Sequence, residues 1–518
     1  MTNGRLLWVD DEIDLLKAYM IFLRSKDYDV TTASNGTDAI ELCRENDYDL
    51  ILLDENMPGL SGLETLARIK EIRPAVPVVM VTKNEAEDLM NQAIGAKIAD
   101  YLIKPVNPNQ ILMALKKNIH QREIVSEVTE TSYRREFAEI GMQISDSLTP
   151  NEWIELYKRL VRWELELSET GGPMADMLRM QKEEANLAFA KYIRRNYELW
   201  IAAPAGERPL ISPDVMKRRV FPRLSEGKHV CLLVLDNCRF DQWRVLADEL
   251  QASFDIDEDL YFSILPTATQ YARNAIFAGM MPLEIRRHYP DLWVEEEEEE
   301  GKNLKEEPLI RHLLERYRRR ETFTYHKING AADVDRLLAA RTQLAAAPLN
   351  VIVVNFIDIL SHARTESRMV RELAGNEAAF RGLTHSWFLH SGIGEVFATL
   401  AQMDAEIIVT TDHGSIRTTT PSKVVGDRNV NTNLRYKLGK NLSYNAREVY
   451  EVKQPERIAL PAPNLSTTYI FATGDRFFSY PNNYNHYVQY YTDTFQHGGI
   501  SLEEMLVPLI TLTPRTAR

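Results

Sequence analysis

Cysteine is scarce in this chain. Cys43, Cys231 and Cys238 are the only three in 518 residues. They exclude a disulfide framework and point to a reducing, cytoplasmic setting. Long apolar runs are missing too, and nothing approaches the roughly 20 residues of a membrane span. The chain opens on RLLWVDDE, with acids where a signal peptide would need an apolar core, so none is expected. An excess of positive charge is also lacking. The net charge of −14 disfavours broad binding to nucleic-acid backbone and leaves room only for a local basic patch. What remains is ordinary for a globular protein, 44% hydrophobic and 26% charged, at a length that calls for about two to four domains.

Residues 5–120 alternate short apolar runs with amphipathic stretches: RLLWVDD, YDVTTAS, YDLILLDENMPG, VPVVMVTK and ADYLIKP. This predicts a doubly wound parallel sheet, whose site lies at the carboxyl ends of its strands. Asp10, Asp11, Asp54, Thr82 and Lys104 all fall at those ends. Clustered carboxylates beside a lysine suit Mg²⁺, a hard ion that takes oxygen ligands and helps neutralise a phosphoryl group. The pattern resembles a response-regulator receiver domain. The resemblance implies that Asp54 accepts the phosphoryl group and that Asp10, Asp11 and Asp54 hold Mg²⁺ with the carbonyl of Asn56. It further implies that Thr82 and Lys104 bind phosphoryl oxygens, that a cis Pro105 follows, and that Tyr101 is the switching aromatic. Lys83 departs from the small residue usual after the switch threonine.

Beyond Pro108 the pattern is helical for about 90 residues, with few glycines or prolines. Trp153, Leu156, Tyr157, Leu160 and Val161 make one apolar stripe, and ETGGP is a stop and restart. A helical bundle that relays the receiver's state or dimerises is expected, without catalysis. The segment APAGERPLISPDV (203–215) is the expected boundary after it. No helix-turn-helix reader with a basic recognition helix follows the receiver. The expected domains are a receiver over 1–120, a helical bundle over 121–205 and an α/β domain over 206–518.

In the last part, strand-like and helical stretches alternate again, and polar residues again follow the apolar runs. Asp236 follows CLLVL, Asp358 follows VIVVNFI, Asp412 and His413 follow EIIVTT, and His497 precedes two glycines. With His362, these six carboxylate and imidazole ligands suit two Zn²⁺ ions, each with an open position. Two ions about 4 Å apart clamp both sides of an in-line phosphoryl displacement. ILPTATQYARN supplies a threonine nucleophile at the start of a helix, where the dipole favours phosphate. Arg273 shares the helix face of Thr269 and is expected to stabilise the transferred phosphoryl group.

The ordered set resembles the alkaline phosphatase superfamily in its PglZ branch, over about residues 216–515, with HGGISLEEMLVPLI the most distinctive stretch. The resemblance implies one zinc on Asp358, His362 and His497 and another on Asp236, Asp412 and His413. It makes Thr269 the nucleophile, with Thr267 as the fallback. Receiver, helical middle and PglZ domain in this order resemble PorX-type response regulators, associated with type IX secretion in Bacteroidetes.

The implied function is a zinc-dependent phosphodiesterase or phosphatase controlled by phosphorylation of Asp54. Its implied partner is a sensor histidine kinase, its substrate a phosphoester such as an oligonucleotide, and it is expected to dimerise on phosphorylation. The alternative is a non-catalytic signalling adaptor that docks secretion machinery or a sigma factor. Three further features bear on substrate. The cations Arg417, Lys423, Arg428, Arg435, Lys437 and Lys440 suggest an anion clamp, YPNNYNHYVQYY (480–491) could stack bases, and the glutamates 295–300 read as a solvated loop. His288, His312, His326, His385, His390 and His486 have no comparable placement and are expected at the surface, in the core or behind the ligands.

Overall fold

The structure is a computed structural model. It describes residues 3–515 apart from 74–75, 83–97, 146, 171–172, 296–302, 367–369, 372–373, 427–430, 432, 465 and 482–483. Lys83, Arg428 and all but the first of the glutamates 295–300 therefore lie outside the described residues. Contacts divide the chain into two compact units, Met1–Arg135 and Glu136–Arg518.

The first unit is built on five parallel strands, β1 (Gly4–Val9), β2 (Tyr28–Ala33), β3 (Leu50–Asp54), β4 (Val78–Thr82) and β5 (Asp100–Ile103), in the order β2-β1-β3-β4-β5. The central strand LILLD is buried throughout, because helices cover both faces of a parallel sheet. Three of those helices are α1 (Lys17–Arg24), α2 (Gly36–Glu45) and α3 (Gly62–Ile72). Local chemistry fixes the starts of the last two. Asn35 caps α2, and Ser61 with Glu64 forms a reciprocal capping box on α3.

A long helix α4 (Pro108–Gln143) is followed by α5 (Pro150–Thr170) and α6 (Pro173–Ala202). All five residues of the expected stripe on α5 are buried. Trp153 meets Phe189 of α6 edge-on at 5.1 Å, and Phe189 and Trp200 in turn pack on Phe262 of the C-terminal sheet, at 6.3 and 5.0 Å. Such aromatic packing is why the middle helices beyond Arg135 belong to the same compact unit as that sheet. The segment 203–215 has the turn residues of a boundary, yet Ile211–Val215 is buried. Ile211 bridges to Phe262, and Arg208 pairs with Asp214.

The sheet of the second unit has six strands. They are β6 (Val230–Leu235), β7 (Phe254–Phe262), β8 (Phe323–Ile328), β9 (Leu349–Val354), β10 (Glu406–Thr410) and β11 (Leu506–Pro514), in the order β7-β11-β10-β6-β9-β8. β8, β9, β6 and β10 run parallel, while β11 is antiparallel to both β10 and β7. β11 therefore starts at the edge where the parallel strands finish, which brings the 497–505 segment to their carboxyl ends.

A buried ionic network ties α5 and α6 to this unit. Arg239 holds Asp241 through two bonds (2.7 and 2.9 Å), Arg381 joins Asp241 (3.0 Å) to Glu164 (2.6 Å), and Lys182 joins Glu164 (2.6 Å) to Glu503 (3.1 Å). Burial opposes the charge on Asp241, but Arg239 and Arg381 outweigh it and hold the carboxyl below its usual range. A depressed carboxylate contributes stability above its unfolded pKa and loses that contribution as pH falls through the folded value. Asp241→Asn should therefore lower stability at neutral pH by about 3–5 kcal/mol, the cost of breaking a buried pair. The difference from wild type should narrow as pH falls below about 4, the carboxyl's unfolded pKa. Urea unfolding of the full chain at several pH values measures both.

Candidate metal and phosphoryl-transfer site

In the receiver unit Asp10 and Asp11, just past β1, and Asp54, the last residue of β3, offer carboxylate oxygens within 4.8 Å of one another. Lys104, just past β5, reaches Asp10 at 2.8 Å and Asp54 at 3.1 Å. Burial raises the pKa of Asp54, and the charge of Lys104 works against that rise. Its Oδ1 is buried without a hydrogen-bond partner. An oxygen in that condition suits a cation or an incoming phosphoryl group. Thr82 ends β4, Asn56 is exposed beside Asp54, and Tyr101 is 41% exposed on β5. The Lys104–Pro105 bond is cis.

In the second unit the six ligand candidates fall into two clusters. Asp236 follows β6, and Asp412 and His413 follow β10. All three are buried, with ligand atoms within 4.8 Å of one another. Asp236 Oδ1 and Asp412 Oδ2 have no hydrogen-bond partner, and each lies 3.9 Å from His413 Nε2. Two orphaned carboxylate oxygens facing one imidazole nitrogen form a donor set that fits a divalent cation such as zinc.

Asp358 and His362 lie one turn apart on α7 (Phe356–Glu366), which brings Asp358 Oδ2 to 3.4 Å from His362 Nε2. His497 Nε2 lies 3.8 Å from Asp358 Oδ1 and completes the second cluster. This cluster opens to solvent, since the His362 side chain is 63% exposed. The clusters adjoin through the rings of His413 and His497, which stack at 4.1 Å.

The imidazoles are oriented from behind. His413 Nδ1 bonds the Gly414 carbonyl and His497 Nδ1 bonds the Thr267 carbonyl, both at 3.1 Å. A proton on each Nδ1 leaves each Nε2 lone pair facing the carboxylates. Burial lowers both histidine pKa values, and His497, with the charge of His413 adding to the effect, is pushed down to about 3. Burial raises Asp236 and Asp412 even against Arg273. For Asp358 burial acts upward, but the His362 hydrogen bond and the charge of His497 outweigh it and hold the carboxyl low.

The two threonines have different surroundings. Thr267 Oγ1 is buried, donating to the Gly499 carbonyl (2.9 Å) and accepting from Gly498 N–H (3.0 Å). Thr269 opens helix α8 (Thr269–Ala278), with its Oγ1 3.1 Å from His413 Nε2. The helix dipole is thus directed at the first cluster.

Arg273 is buried on α8. Its guanidinium reaches Asp236 (2.9 Å), Glu306 (2.6 Å), Asn355 (3.2 Å) and, more distantly, Asp412 (3.8 Å). Its charge is directed to Asp236 and Asp412 of the cluster and to Glu306 behind it, because three buried carboxylates so close together require a cation.

The basic run does not form one surface, which corrects the expectation of a single clamp. Arg435 is fully buried, bonding Glu504 through Nε (3.1 Å) and Nη2 (2.6 Å). Lys437 is buried as well, bonding the Asn431 carbonyl, and Arg417 pairs with Asp493. Lys423 and Lys440 are exposed. Internal carboxylates and carbonyls take up cations that look like a patch in the linear sequence. Residues Tyr484–Tyr491 form a helix on which Tyr487 stacks against Tyr491 at 6.2 Å. Glu295 pairs with Arg286.

Three contributors were not singled out from sequence. Asn237, in the left-handed region at φ 62°, donates its amide side chain to Asp358 (3.1 Å) and its N–H to Asp412 (3.4 Å), joining the two clusters. The asparagine after a strand-ending aspartate was the available signal, since asparagine tolerates that conformation. Glu504 is fully buried and accepts from Gly499 N–H (2.8 Å), Ser501 Oγ (2.7 Å) and Arg435. A carboxylate inside the apolar run ISLEEML was its signal. Glu306 lies in an ordinary amphipathic helix and gave none.

Comparison with known families finds three matches along the chain. Residues 6–116 match the response regulator receiver domain, 123–201 the PorX response regulator linker domain, and 215–512 the BREX system PglZ alkaline phosphatase-like domain. Three curated relatives each match about a quarter of this chain. The transcriptional regulatory protein ZraR of Klebsiella oxytoca is 37% identical over 127 residues, 24% of this chain and 29% of its own length. The alginate biosynthesis transcriptional regulatory protein AlgB of Pseudomonas aeruginosa is 35% identical over 136 residues, 26% of this chain and 30% of its own length. ResD of Bacillus subtilis is 33% identical over 129 residues, 25% of this chain and 51% of its own length. This chain thus spans between 29% and 51% of the length of these relatives. Among solved structures, a CheY-like receiver domain protein from Methanospirillum hungatei is 27% identical, covering 23% of this chain and 95% of its own, with a TM-score of 0.23. With the PglZ match covering more than half its length, the chain belongs to the PglZ alkaline phosphatase-like family, carried in the PorX-type order of receiver, linker and PglZ domain.

Proposed function

We propose that this response regulator is a zinc-dependent phosphoester hydrolase whose activity is set by phosphorylation of Asp54. One observation carries the reading: Thr269 Oγ1 lies 3.1 Å from His413 Nε2, beside two adjoining clusters of three ligands each. Asp358, His362 and His497 would hold one ion, and Asp236, Asp412 and His413 the other. Bound zinc would neutralise the developing phosphoryl charge and lower the pKa of an oxygen nucleophile.

The chain's own residues do the rest. The Thr269 hydroxyl attacks phosphorus, the Thr269 Oγ–P bond forms as the bond to the leaving oxygen breaks, and the alcohol departs with a proton. Water then cleaves Oγ–P, releasing phosphate or a phosphomonoester and restoring the hydroxyl. The amides at the start of α8 orient the anionic group, while Arg273 keeps Asp236 and Asp412 compatible with one small volume. A diester, nucleotide-derived substrate is the narrower reading, supported by the stacked tyrosines of 484–491.

In the receiver, the Asp10, Asp11 and Asp54 cluster with Lys104 suits Mg²⁺-assisted transfer from a phosphodonor such as a histidine kinase. Thr82 and Tyr101 would carry the switch, and dimerisation through the receiver or linker would pass it on. Control of type IX secretion is the cellular role that the PorX-type architecture suggests. No helix among the described residues is long and apolar enough to cross a membrane.

Purified full-length protein should contain about two zincs per chain, and His497→Ala or Asp412→Ala about one, by metal analysis. Bis-p-nitrophenyl phosphate should be hydrolysed, and a chelator should abolish turnover. Thr269→Val should lower kcat by about 1000-fold or more while keeping its zinc. Full activity in that variant would remove Thr269 as nucleophile. No turnover on any phosphoester, with partner binding still under Asp54 control, would favour a docking role. Asp54→Asn should leave turnover unresponsive to acetyl phosphate, which should shift it in wild type.

A further inference from the structure

Linker helix α6 reaches the site's scaffold through Lys182, which pairs with Glu503, and through two further side chains three helical turns apart. Near its middle, Asn186 is buried and makes two bonds to the segment that follows His497. Its Oδ1 accepts from Leu502 N–H (2.8 Å), and its Nδ2 donates to Glu503 Oε2 (3.1 Å). Near its end, buried Tyr197 accepts at its hydroxyl from Leu265 N–H (2.8 Å), two residues before Thr267.

Both contacts lead to ligands through short bonded paths. Leu502–Met505 is a single helical turn capped by Ser501, so fixing Leu502 and Glu503 fixes Glu504. Glu504 holds Gly499 N–H, and Thr267 holds both Gly498 and Gly499 while its carbonyl orients the His497 imidazole. There is little slack. Gly498 sits at φ 120°, and a Cβ at Gly499 would lie 2.5 Å from the Ala472 carbonyl. On the other side, Gly414 donates to the Glu504 carbonyl (3.2 Å) and packs so closely on Glu503 that a Cβ would lie 2.0 Å from its carbonyl oxygen. His413 is therefore referenced to the same turn.

We propose that Asn186, with Tyr197, is a positioning residue through which the linker helix sets the placement of His497 and the Thr267–Thr269 loop. This deepens the hydrolase reading and rests on it. A helix that holds both segments by side-chain hydrogen bonds is a lever on the site. Displacing it loosens a zinc ligand and the nucleophile loop together, without contact to substrate.

The test uses the full-length chain in four forms: wild type, Asn186→Ala, Asn186→Asp combined with Glu503→Gln, and Tyr197→Phe. The combined exchange reverses donor and acceptor of the bond between positions 186 and 503, conserves net charge, and gives Lys182, which loses its Glu503 partner, a carboxylate one helical turn away at position 186. Three readouts are compared: amide hydrogen exchange over 495–506 in metal-free protein, zinc retention against a chelator, and kcat with KM on bis-p-nitrophenyl phosphate. Asn186→Ala should speed exchange in that segment, weaken retention of one of the two zincs by about 10-fold or more, and lower kcat with KM little changed. The combined exchange should restore all three, and Tyr197→Phe should lower kcat in the same way.

Faster exchange with unchanged zinc retention and kcat would reduce Asn186 to a packing role and overturn the inference. Unchanged exchange in Asn186→Ala, or no recovery in the combined exchange, would also overturn it. Wild-type protein that neither binds zinc nor turns over any phosphoester would instead mark failure of the hydrolase reading, and the inference would fall with it.

Discussion

Three aspartates brought to one edge of one sheet make the constraint around which the second unit is organised. Asp236, Asp358 and Asp412 come from segments far apart in sequence, yet Asp236 and Asp412 each present a ligand atom 3.9 Å from the same imidazole nitrogen. Like charges so placed repel, and burial removes the water that would screen them. The surroundings answer with cations and donors. Arg273 reaches Asp236 and Asp412, Asn237 donates to Asp412 and Asp358, and His362 and His497 flank Asp358. Even so, Asp236 Oδ1 and Asp412 Oδ2 keep no hydrogen-bond partner. That residual demand gives the cluster its fitness for a divalent ion.

Topology supplies the convergence. Parallel β6, β9 and β10 deliver their ends to one edge, and β11, running the other way, starts there. An antiparallel strand thus brings the His497 loop to the same place as the carboxylates without a crossover. Helix α8 adds its N-terminus and Thr269. The receiver applies the same edge principle with different ligands, carboxylates and a lysine in place of carboxylates and imidazoles. Hard oxygen ligands suit magnesium there, and mixed nitrogen and oxygen ligands suit zinc here.

Much of this could be read before any coordinates. Strand-end placement singled out Asp10, Asp54 and Lys104, and later Asp236, Asp412 and His413, because a parallel strand is a continuous apolar run and the first polar residue after it marks the edge. The stripe on α5 was visible because helical periodicity survives in sequence. The fates of Arg435 and Lys437 were not visible. A cation reads the same whether solvent or a carboxylate 69 residues away receives it, as Glu504 receives Arg435. Arg273 shows the same limit. Its spacing from Thr269 was apparent, but the carboxylates that occupy it arrive through the fold. Asn186 was unreadable for a further reason, since its partners lie more than 300 residues ahead.

The close approach of Gly414 to Glu503 has an evolutionary implication. With a Cβ at 414 only 2.0 Å from a carbonyl oxygen, no side chain fits there unless the 501–505 turn moves, and that turn carries Glu504. The loops bearing His413 and His497 are thereby locked into joint inheritance. Drift in one would have to be matched in the other.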